Sequence, residues 1–340
     1  MSLTPAKVSS GRCFFEGIFY IYLYIFCVLG CASLRGKRWR RQSREKEAAS
    51  MASRPLKFPE IDDELRKIID ANLDEVPARK LAREAFKDIQ LGIDHILFKT
   101  PCDGLKMKES YEVNSRGLEI FTKSWLPKSS SPKAVALFSG IARKLASSGY
   151  GFFAMDYPGY GMSEGLHGYI PSFDRLVDDV IEHYSKVKEN PEFRTLPSFL
   201  FGESLGGAVA LKVHLKQPNA WNGAILVAPM CKAAYNVIAY KDKPRLKTAL
   251  EMLRTTQEIE RRLEQVSLPL LILHGEADIV TDPSVSKLLY EKACSSDKKL
   301  KLYKDAFHAL LEGEPDEVIL QVFKDTISWL DEHSRETNSC

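Results

Sequence analysis

Three residues, Ser204, Asp278 and His308, have the types and the order along the chain that nucleophilic acyl transfer uses. A serine hydroxyl is a weak nucleophile until a histidine accepts its proton, and a carboxylate on the other ring nitrogen keeps that histidine in the required tautomer. Each of the three follows a short apolar run, and the intervals between them are 74 and 30 residues. The order Ser, Asp, His differs from that of chymotrypsin-like and subtilisin-like enzymes. The pattern predicts a serine hydrolase.

Ser204 lies in a Gly-x-Ser-x-Gly sequence at 202–206, between an apolar run and a helical pattern. A strand, a sharp turn and a helix in this order expose the hydroxyl above a sheet, with glycines where no Cβ fits. The helix N-terminus favours a developing oxyanion, and the backbone N–H of Leu205 is the predicted first donor to it. The alternative is a serine in an incidental glycine-rich turn.

Asp278 and His308 carry weaker signals when each is considered by itself. Asp278 ends an apolar run and a turn, where aspartates often only cap the turn. His308 lies in a loop ahead of the acidic stretch 312–317, and a lone loop histidine is more often without a catalytic role. Their joint position at predicted strand ends favours the catalytic interpretation, because ligands bind beyond the carboxyl ends of such strands.

Short β-branched or aromatic runs alternate with helical patterns from residue 111 onward, which predicts an α/β domain with a mostly parallel sheet and helices on both faces. The predicted strands are 111–113, 118–125, 135–138, 151–155, 199–201, 224–227, 270–273 and 300–303. The predicted helices are 141–147, 173–187, 208–216, 284–292 and 318–332. The sheet domain therefore occupies 111–333, behind a helical segment at 51–110 in which Pro77 separates two amphipathic helices.

The charge distribution and the cysteine and histidine content argue against two other classes of function, nucleic-acid binding and metal-dependent catalysis. Residues 1–50 hold nine Lys or Arg against three Asp or Glu, whereas residues 51–340 hold 39 against 42, so the body is mildly acidic. An acidic body argues against a nucleic-acid partner. The seven cysteines show no disulfide framework or zinc-site spacing and the seven histidines no His-Glu-x-x-His sequence, so no metal site is predicted.

Residues 1–50 form a hydrophobic and basic leader. Its apolar run, 18–34, would be about 25 Å long as a helix, and extending it back to Cys13 gives the ~30 Å of a bilayer core. Seven cationic residues follow, which predicts a membrane anchor at 13–34 with the body on the cytoplasmic side. The alternatives are a cleaved signal peptide ending near Ala32, an organelle transit peptide, and a soluble cytoplasmic protein that starts at Met51.

Five motifs stand near the predicted strand ends: Asp-Tyr-Pro-Gly-Tyr-Gly-Met-Ser-Glu-Gly at 156–165, the turn at 202–206, Ala-Pro-Met at 228–230, His-Gly-Glu-Ala-Asp at 274–278 and Phe-His at 307–308. Together they resemble the α/β-hydrolases of the monoacylglycerol lipase group, and specifically its plant branch that includes caffeoylshikimate esterase. The likeness covers residues 56–333. It implies the α/β-hydrolase fold and cofactor-free hydrolysis of a small-molecule ester, either a monoacylglycerol or a caffeoyl ester.

The sequence departs from that family at two places. The family carries a His-Gly-x-Gly loop after its third strand that supplies a second oxyanion donor, but here only residues 139–150 link two strands. Gly140 can replace that donor only if its N–H happens to lie where the missing loop would place one. Losing one oxyanion donor typically lowers turnover about 10²–10³-fold. The lid is also short: 231–267 is 37 residues, with helical patterning at Leu246, Leu250 and Leu253 and then at Ile259, Leu263 and Val266. This predicts a truncated cap of two or three helices.

Three hypotheses follow for the function. The first is a serine esterase or lipase that acts through Ser204, His308 and Asp278. The second is a catalytically impaired or inactive variant that at most binds a ligand, for which the missing loop is the reason. The third is a serine peptidase of the same fold, for which the sequence offers no specific pocket signature.

Overall fold

Buried apolar runs form the central strands of one eight-stranded sheet. The computed structural model describes residues 72–85, 95–96, 103–137, 141–231 and 245–335. The strands are β1 (Leu105–Val113), β2 (Glu119–Pro127), β3 (Val135–Leu137), β4 (Gly151–Met155), β5 (Ser198–Glu203), β6 (Gly223–Val227), β7 (Leu270–Gly275) and β8 (Lys298–Tyr303). Strands β4 to β7 are buried along their whole length, which is typical of a parallel sheet covered on both faces.

Seven α-helices lie among the described residues. They are α1 (Val76–Ala85), α2 (Ala142–Ser147), α3 (Phe173–Glu189), α4 (Leu205–Lys216), α5 (Leu246–Arg261), α6 (Pro283–Lys292) and α7 (Asp316–Arg335), with one 3₁₀ turn at Leu263–Gln265. Helices α3, α4, α5 and α6 contribute to the core on one face of the sheet, and α2 and α7 contribute to the core on the other. The prediction of helices on both faces is confirmed.

The strand order across the sheet is β1-β2-β4-β3-β5-β6-β7-β8. The pairs β1/β2 and β2/β4 are antiparallel, and every other neighbouring pair is parallel. The parallel strands β3 to β8 therefore present their carboxyl ends at one edge. That edge holds the turn after β5, the loop after β7 and the loop after β8, which carry the three predicted catalytic side chains.

The largest difference from the predicted strands is at the start of the sheet. The sequence predicted a strand only at 111–113, whereas β1 begins at Leu105 and pairs with β2 along its full length. Its first residues are mostly exposed and charged, as suits an edge strand, so the apolar signal covers only part of the strand. The other predicted strands all form, with ends that differ by up to two residues.

The described N-terminal helix docks in a way that the sequence did not suggest. Pro77 lies inside the first turn of α1 rather than between two helices, in agreement with the tolerance of proline there. Leu81, expected on the docked face, is 56% exposed. Arg79 is instead fully buried, and its guanidinium donates to the carbonyl oxygens of Gly161 and Ser163 at 2.7 Å each. A buried cation therefore attaches α1 to the loop after β4.

The short cap contains α5 and the 3₁₀ turn among the described residues. Leu246, Leu250 and Leu253, whose spacing predicted this helix, are 79%, 40% and 42% exposed. The face of α5 that packs on the core instead includes Thr255, Thr256 and Ile259.

The predicted leader, 1–50, and the first predicted amphipathic helix lie outside the described residues. Within the described part of the chain, no helix is both long enough and apolar enough to span a bilayer. The membrane anchor at 13–34 stays a prediction.

Candidate active site

Ser204 occupies the sharp turn between β5 and α4. Its backbone has φ +50° and ψ −113°, a conformation in which glycine is the preferred residue. Two hydrogen bonds hold the turn against the chain after β6: Ser204 N–H donates to the carbonyl of Val227 at 2.9 Å, and Met230 N–H donates to the carbonyl of Ser204 at 2.9 Å. The serine is half-buried, so its side chain is accessible at the carboxyl edge of the sheet.

The glycines around the serine are required by close backbone packing. A Cβ on Gly202 would lie 2.3 Å from the carbonyl oxygen of Gly206, and a Cβ on Gly207 would lie 2.6 Å from the Cβ of Pro229. Both separations are shorter than real Cβ contacts, so neither position accepts a side chain without a shift of the turn. The Gly-x-Ser-x-Gly-Gly sequence thus has a steric cause at each of these glycines.

Leu205 is the first residue of α4, so its N–H has no acceptor within the helix. Among the described residues no hydrogen bond engages this N–H, and the group remains available to an oxyanion beside Ser204. The second candidate donor, Gly140, lies outside the described residues, as do Phe138 and Ser139. Only four residues, 138–141, separate β3 from α2.

Asp278 lies in the loop after β7, and both of its carboxylate oxygens accept hydrogen bonds. Oδ1 accepts from the backbone N–H groups of Val280 and Thr281 at 2.7 and 3.1 Å, and Oδ2 accepts from the Thr281 hydroxyl at 2.8 Å. Burial alone would raise the pKa of Asp278, but hydrogen bonds from His274 and His308 outweigh it and hold the pKa well below its usual range. The carboxylate is therefore ionised and fixed in one orientation.

His308 follows β8 and is 3% exposed. Its Nδ1 lies 2.7 Å from Asp278 Oδ2, and since an ionised carboxylate only accepts, Nδ1 carries the proton. The other nitrogen, Nε2, is buried and has no hydrogen-bond partner among the described residues. The neutral ring thus has its proton on the side of the acid and a free lone pair on the opposite side, which is the arrangement a general base requires.

Thr281 connects this pair to the segment that holds the serine turn. Its hydroxyl is 3.1 Å from His308 Nδ1 and 2.8 Å from Asp278 Oδ2, and it is also 3.2 Å from the carbonyl of Ala228. Ala228 directly follows Val227, whose carbonyl accepts from Ser204 N–H. The loop after β7 and the turn after β5 are therefore both anchored on residues 227–230.

A second histidine, His274, shares the Asp278 carboxylate with His308. It is fully buried in β7, with Nε2 3.0 Å from Asp278 Oδ2 and 2.9 Å from the carbonyl of Thr281. Its Nδ1 lies 2.6 Å from the hydroxyl of Ser286 in α6. Both atoms near Nε2 are acceptors, so this nitrogen donates.

Glu203 is a buried carboxyl group next to the serine. Burial, followed by the negative charge of Asp278, raises the pKa of Glu203 to about 8. The group is therefore mostly protonated at neutral pH, and the site holds one buried negative charge rather than two.

The structure brings together the predicted Asp278 and His308. Ser204 and the Leu205 N–H lie on the turn after β5, which is connected to the pair through residues 227–230 and Thr281. Sequence reasoning assigned no role to Thr281, Ser286 or Glu203, and it treated His274 only as part of a motif. A histidine at the end of an otherwise apolar strand, four residues before an acid, was the available signal for His274.

Comparison with protein families assigns two overlapping stretches of this chain to the model of one family. Residues 133–241 and 232–316 match the model of a hydrolase family described as serine aminopeptidase, S33. The two matches together extend over residues 133–316, which is more than half of the 340-residue chain and includes all three predicted catalytic positions.

Curated proteins and solved structures with similarity to the chain agree with that match. Caffeoylshikimate esterase from Arabidopsis thaliana is 31% identical in an alignment covering 69% of this chain and 89% of the esterase. Monoglyceride lipase from Homo sapiens is 28% identical, with 65% of this chain and 90% of the lipase covered. The crystal structure of a soluble variant of monoglyceride lipase from Saccharomyces cerevisiae, in complex with a substrate analog, superposes with a TM-score of 0.62 at 19% identity, covering 69% of this chain and 97% of that one. At this identity the superposition establishes the fold, which is that of the α/β-hydrolases.

Proposed function

We propose that this chain, which belongs to the hydrolase family described as serine aminopeptidase, S33, and is an α/β-hydrolase of serine-hydrolase type, cleaves carboxylic esters through an acyl-enzyme formed on Ser204. One observation carries the proposal. The buried His308 pairs through Nδ1 with an ionised Asp278 at 2.7 Å and keeps its Nε2 without a partner among the described residues. Such a pair can accept a proton from a hydroxyl group. Ser204 carries a hydroxyl on the turn after β5, at the same edge of the sheet as the loop that carries His308.

The proposed reaction has two steps. Ser204 Oγ attacks the ester carbonyl carbon while His308 Nε2 accepts the hydroxyl proton, and the imidazolium then gives that proton to the leaving alcohol oxygen. In the second step water loses a proton to His308 and attacks the acyl group. The imidazolium then returns the proton to Ser204 Oγ as the bond from Oγ to the acyl carbon breaks and the carboxylic acid leaves. Asp278 keeps its charge throughout and stabilises the imidazolium at each step.

Leu205 N–H is the donor proposed for the oxyanion. It lies at the N-terminus of α4, where the helix dipole also favours negative charge. Gly140 remains the candidate for a second donor.

The names of the relatives support an ester over a peptide substrate. The family description names an aminopeptidase, but the relatives at 31% and 28% identity are named as an esterase and a lipase. We therefore propose a monoacylglycerol or a caffeoyl ester as the substrate class.

The alternative proposal is an impaired member of the family. Its support is the short link between β3 and β4 and the short cap. The alignment with the Arabidopsis esterase extends over 295 positions, whereas 69% of 340 residues is about 235, so about 60 positions of the esterase have no counterpart here. A shortened cap leaves the serine open to water and weakens a pocket for bulky acyl or alcohol groups.

Labelling with a fluorophosphonate probe tests the proposal without knowledge of the substrate. The purified parent should be labelled, and Ser204→Ala should not. The matched control is Ser198→Ala, which removes the hydroxyl of a buried serine at the start of β5 and should leave the labelling intact. A folded parent that does not label would contradict the catalytic proposal and support the impaired alternative.

Turnover assays then separate the substrate classes. Hydrolysis of a short p-nitrophenyl ester together with failure on long-chain monoacylglycerols would assign the defect to the cap rather than to the acid–base pair. Cleavage of an amino-acid p-nitroanilide at a rate equal to that of the ester would instead favour the peptidase.

A further inference from the structure

We propose that His274, held by Ser286, is a positioning residue for the base: by donating from Nε2 to Asp278 Oδ2 it limits how much of the carboxylate charge acts on His308. This inference rests on the proposed function, in which His308 is the base. It concerns a side chain that takes no proton from the substrate and acts on His308 only through the shared acid, Asp278.

The first observation is that the two histidines meet at one oxygen atom. Asp278 Oδ2 lies 2.7 Å from His308 Nδ1 and 3.0 Å from His274 Nε2. A carboxylate oxygen that accepts a second hydrogen bond has part of its charge neutralised by that donor, so it stabilises the first donor's cation less. The proton affinity of His308 therefore depends on whether His274 donates.

The second observation is that the orientation of His274 is fixed from both sides of its ring. Its Nδ1 lies 2.6 Å from the Ser286 hydroxyl, and its Nε2 also lies 2.9 Å from the Thr281 carbonyl. In a neutral ring the serine hydroxyl donates to Nδ1 and in a charged ring it accepts, and Nε2 keeps its proton in both cases. Ser286, on α6, is fully buried, so water does not replace it.

The third observation is that Asp278 accepts hydrogen bonds from several donors besides His274. Oδ1 is held by the N–H groups of Val280 and Thr281, and the Thr281 hydroxyl still donates to Oδ2. Loss of the His274 donor is therefore expected to leave Asp278 beside His308 with more charge directed at it. The physical consequence is a higher pKa for His308, rather than the loss of the pair.

Other charged groups near the pair do not change between the variants. Glu203, at the end of β5, acts on Asp278 and is mostly neutral below about pH 8. Glu314 accepts from Phe307 N–H at 2.6 Å in the loop that carries His308. Because both remain in every variant, a comparison below pH 8 isolates the effect of His274.

The experiment measures the titration midpoint of His308 by NMR in the ¹³C,¹⁵N-labelled full chain, together with the pH dependence of fluorophosphonate labelling. In His274→Phe both midpoints should rise by about 0.5 to 1 unit, which lowers labelling about 3- to 10-fold at pH 6 and leaves it unchanged at high pH. His274→Gln retains an N–H donor, so its midpoint should rise by less than that of His274→Phe. A loss of labelling that is equal at every pH, with an unmoved midpoint, would overturn the inference in favour of a merely structural histidine.

The matched control is His214→Phe. His214 is also fully buried, and its Nε2 accepts from Ser267 N–H ahead of β7, whereas Asp278 follows β7. This variant should lose stability and keep the His308 midpoint. If His274→Phe does not fold, Ser286→Ala and His274→Gln take its place, since each weakens the donor and should raise the midpoint by a smaller amount; an unchanged midpoint in both overturns the inference.

The two proposals fail in different ways. A folded parent that does not react with the probe contradicts the proposed function. The NMR midpoints need no turnover, so they still decide whether His274 acts on His308.

Discussion

Replacement of Ser204 by glycine should stabilise the protein relative to replacement by alanine. The backbone of Ser204, at φ +50° and ψ −113°, lies where residues with a Cβ are strained by about 1–3 kcal/mol. Alanine keeps the Cβ and the strain, and glycine removes both. Hydrogen bonds to Val227 and from Met230 fix this conformation, so the turn does not relax when the hydroxyl is lost.

The magnitude follows from two opposing contributions. Glycine relieves about 1–3 kcal/mol of strain in the folded state, but it makes the unfolded chain more flexible than alanine does, at a cost of about 0.4–1 kcal/mol. The net expectation is that Ser204→Gly is more stable than Ser204→Ala by about 1 kcal/mol. For a domain of this size that corresponds to a Tm about 2–4 °C higher.

Thermal and urea unfolding, followed by circular dichroism, measure the difference. The control pair is Ser328→Gly and Ser328→Ala, at an exposed interior position of α7, where glycine should be less stable than alanine by about 1 kcal/mol. The sign of the glycine–alanine difference should thus reverse between the two positions. If the glycine variant is less stable than the alanine variant at both positions, the backbone at Ser204 is not strained and this prediction is refuted.

Two further predictions concern the buried groups around the acid. Since the pKa of Glu203 is about 8 in the folded protein and near 4.5 when unfolded, its contribution to stability is complete below about pH 4.5 and is lost as pH rises to about 8. The neutral Glu203→Gln should therefore show a smaller fall in Tm from pH 5 to pH 8.5 than the parent, and parallel curves would contradict this. Thr281→Val removes a hydroxyl 2.8 Å from Asp278 Oδ2 and should lower kcat/KM on a short p-nitrophenyl ester about tenfold. Thr281→Ser keeps the hydroxyl and should retain most of the activity. Equal activity of the two variants would count against a role of the hydroxyl.

Most of the sheet could be predicted from the sequence, because parallel strands buried on both faces produce continuous apolar runs. Strands such as β6 and β7 have this character along their whole length. The first half of β1 does not, since an edge strand shows solvent a series of charged side chains that resemble a loop. Its pairing with β2 depends on contacts distant in the sequence and has no local signal.

The docking of α1 was mispredicted for a similar reason. Apolar periodicity assigns the buried face of a helix to its leucines and alanines, and Ala82 is indeed buried. The fully buried side chain, however, is Arg79, which is acceptable because the Leu73 carbonyl and two carbonyls of the loop after β4 accept hydrogen bonds from it. The two loop carbonyls are about 80 residues away in the sequence, so no pattern within the helix identifies them.

Candidate catalytic residues were easier to identify than the residues that orient them. Ser204, Asp278 and His308 each follow a predicted strand, and the rule that chemistry lies beyond the carboxyl ends of parallel strands selects them. Thr281 and Ser286 lie in a loop and a helix where threonine and serine are ordinary, and their roles depend on distances that only the folded chain defines.

The segment 227–230 explains how the loop that carries Asp278 and the turn that carries Ser204 keep a fixed position relative to each other. Ala228 has φ +42°, and in this conformation its N–H donates to the Leu273 carbonyl in β7 while its own carbonyl lies 3.2 Å from the Thr281 hydroxyl oxygen. The flanking residues, Val227 and Met230, make the two hydrogen bonds that hold Ser204. This short segment therefore contacts both the serine turn after β5 and the loop after β7. Its Ala-Pro-Met sequence, noted in the sequence only as a motif of family resemblance, thus has a structural role. Because a non-glycine residue tolerates positive φ only when its surroundings enforce it, the strain at Ala228 and at Ser204 indicates that the fold holds the two loops in register before any substrate arrives.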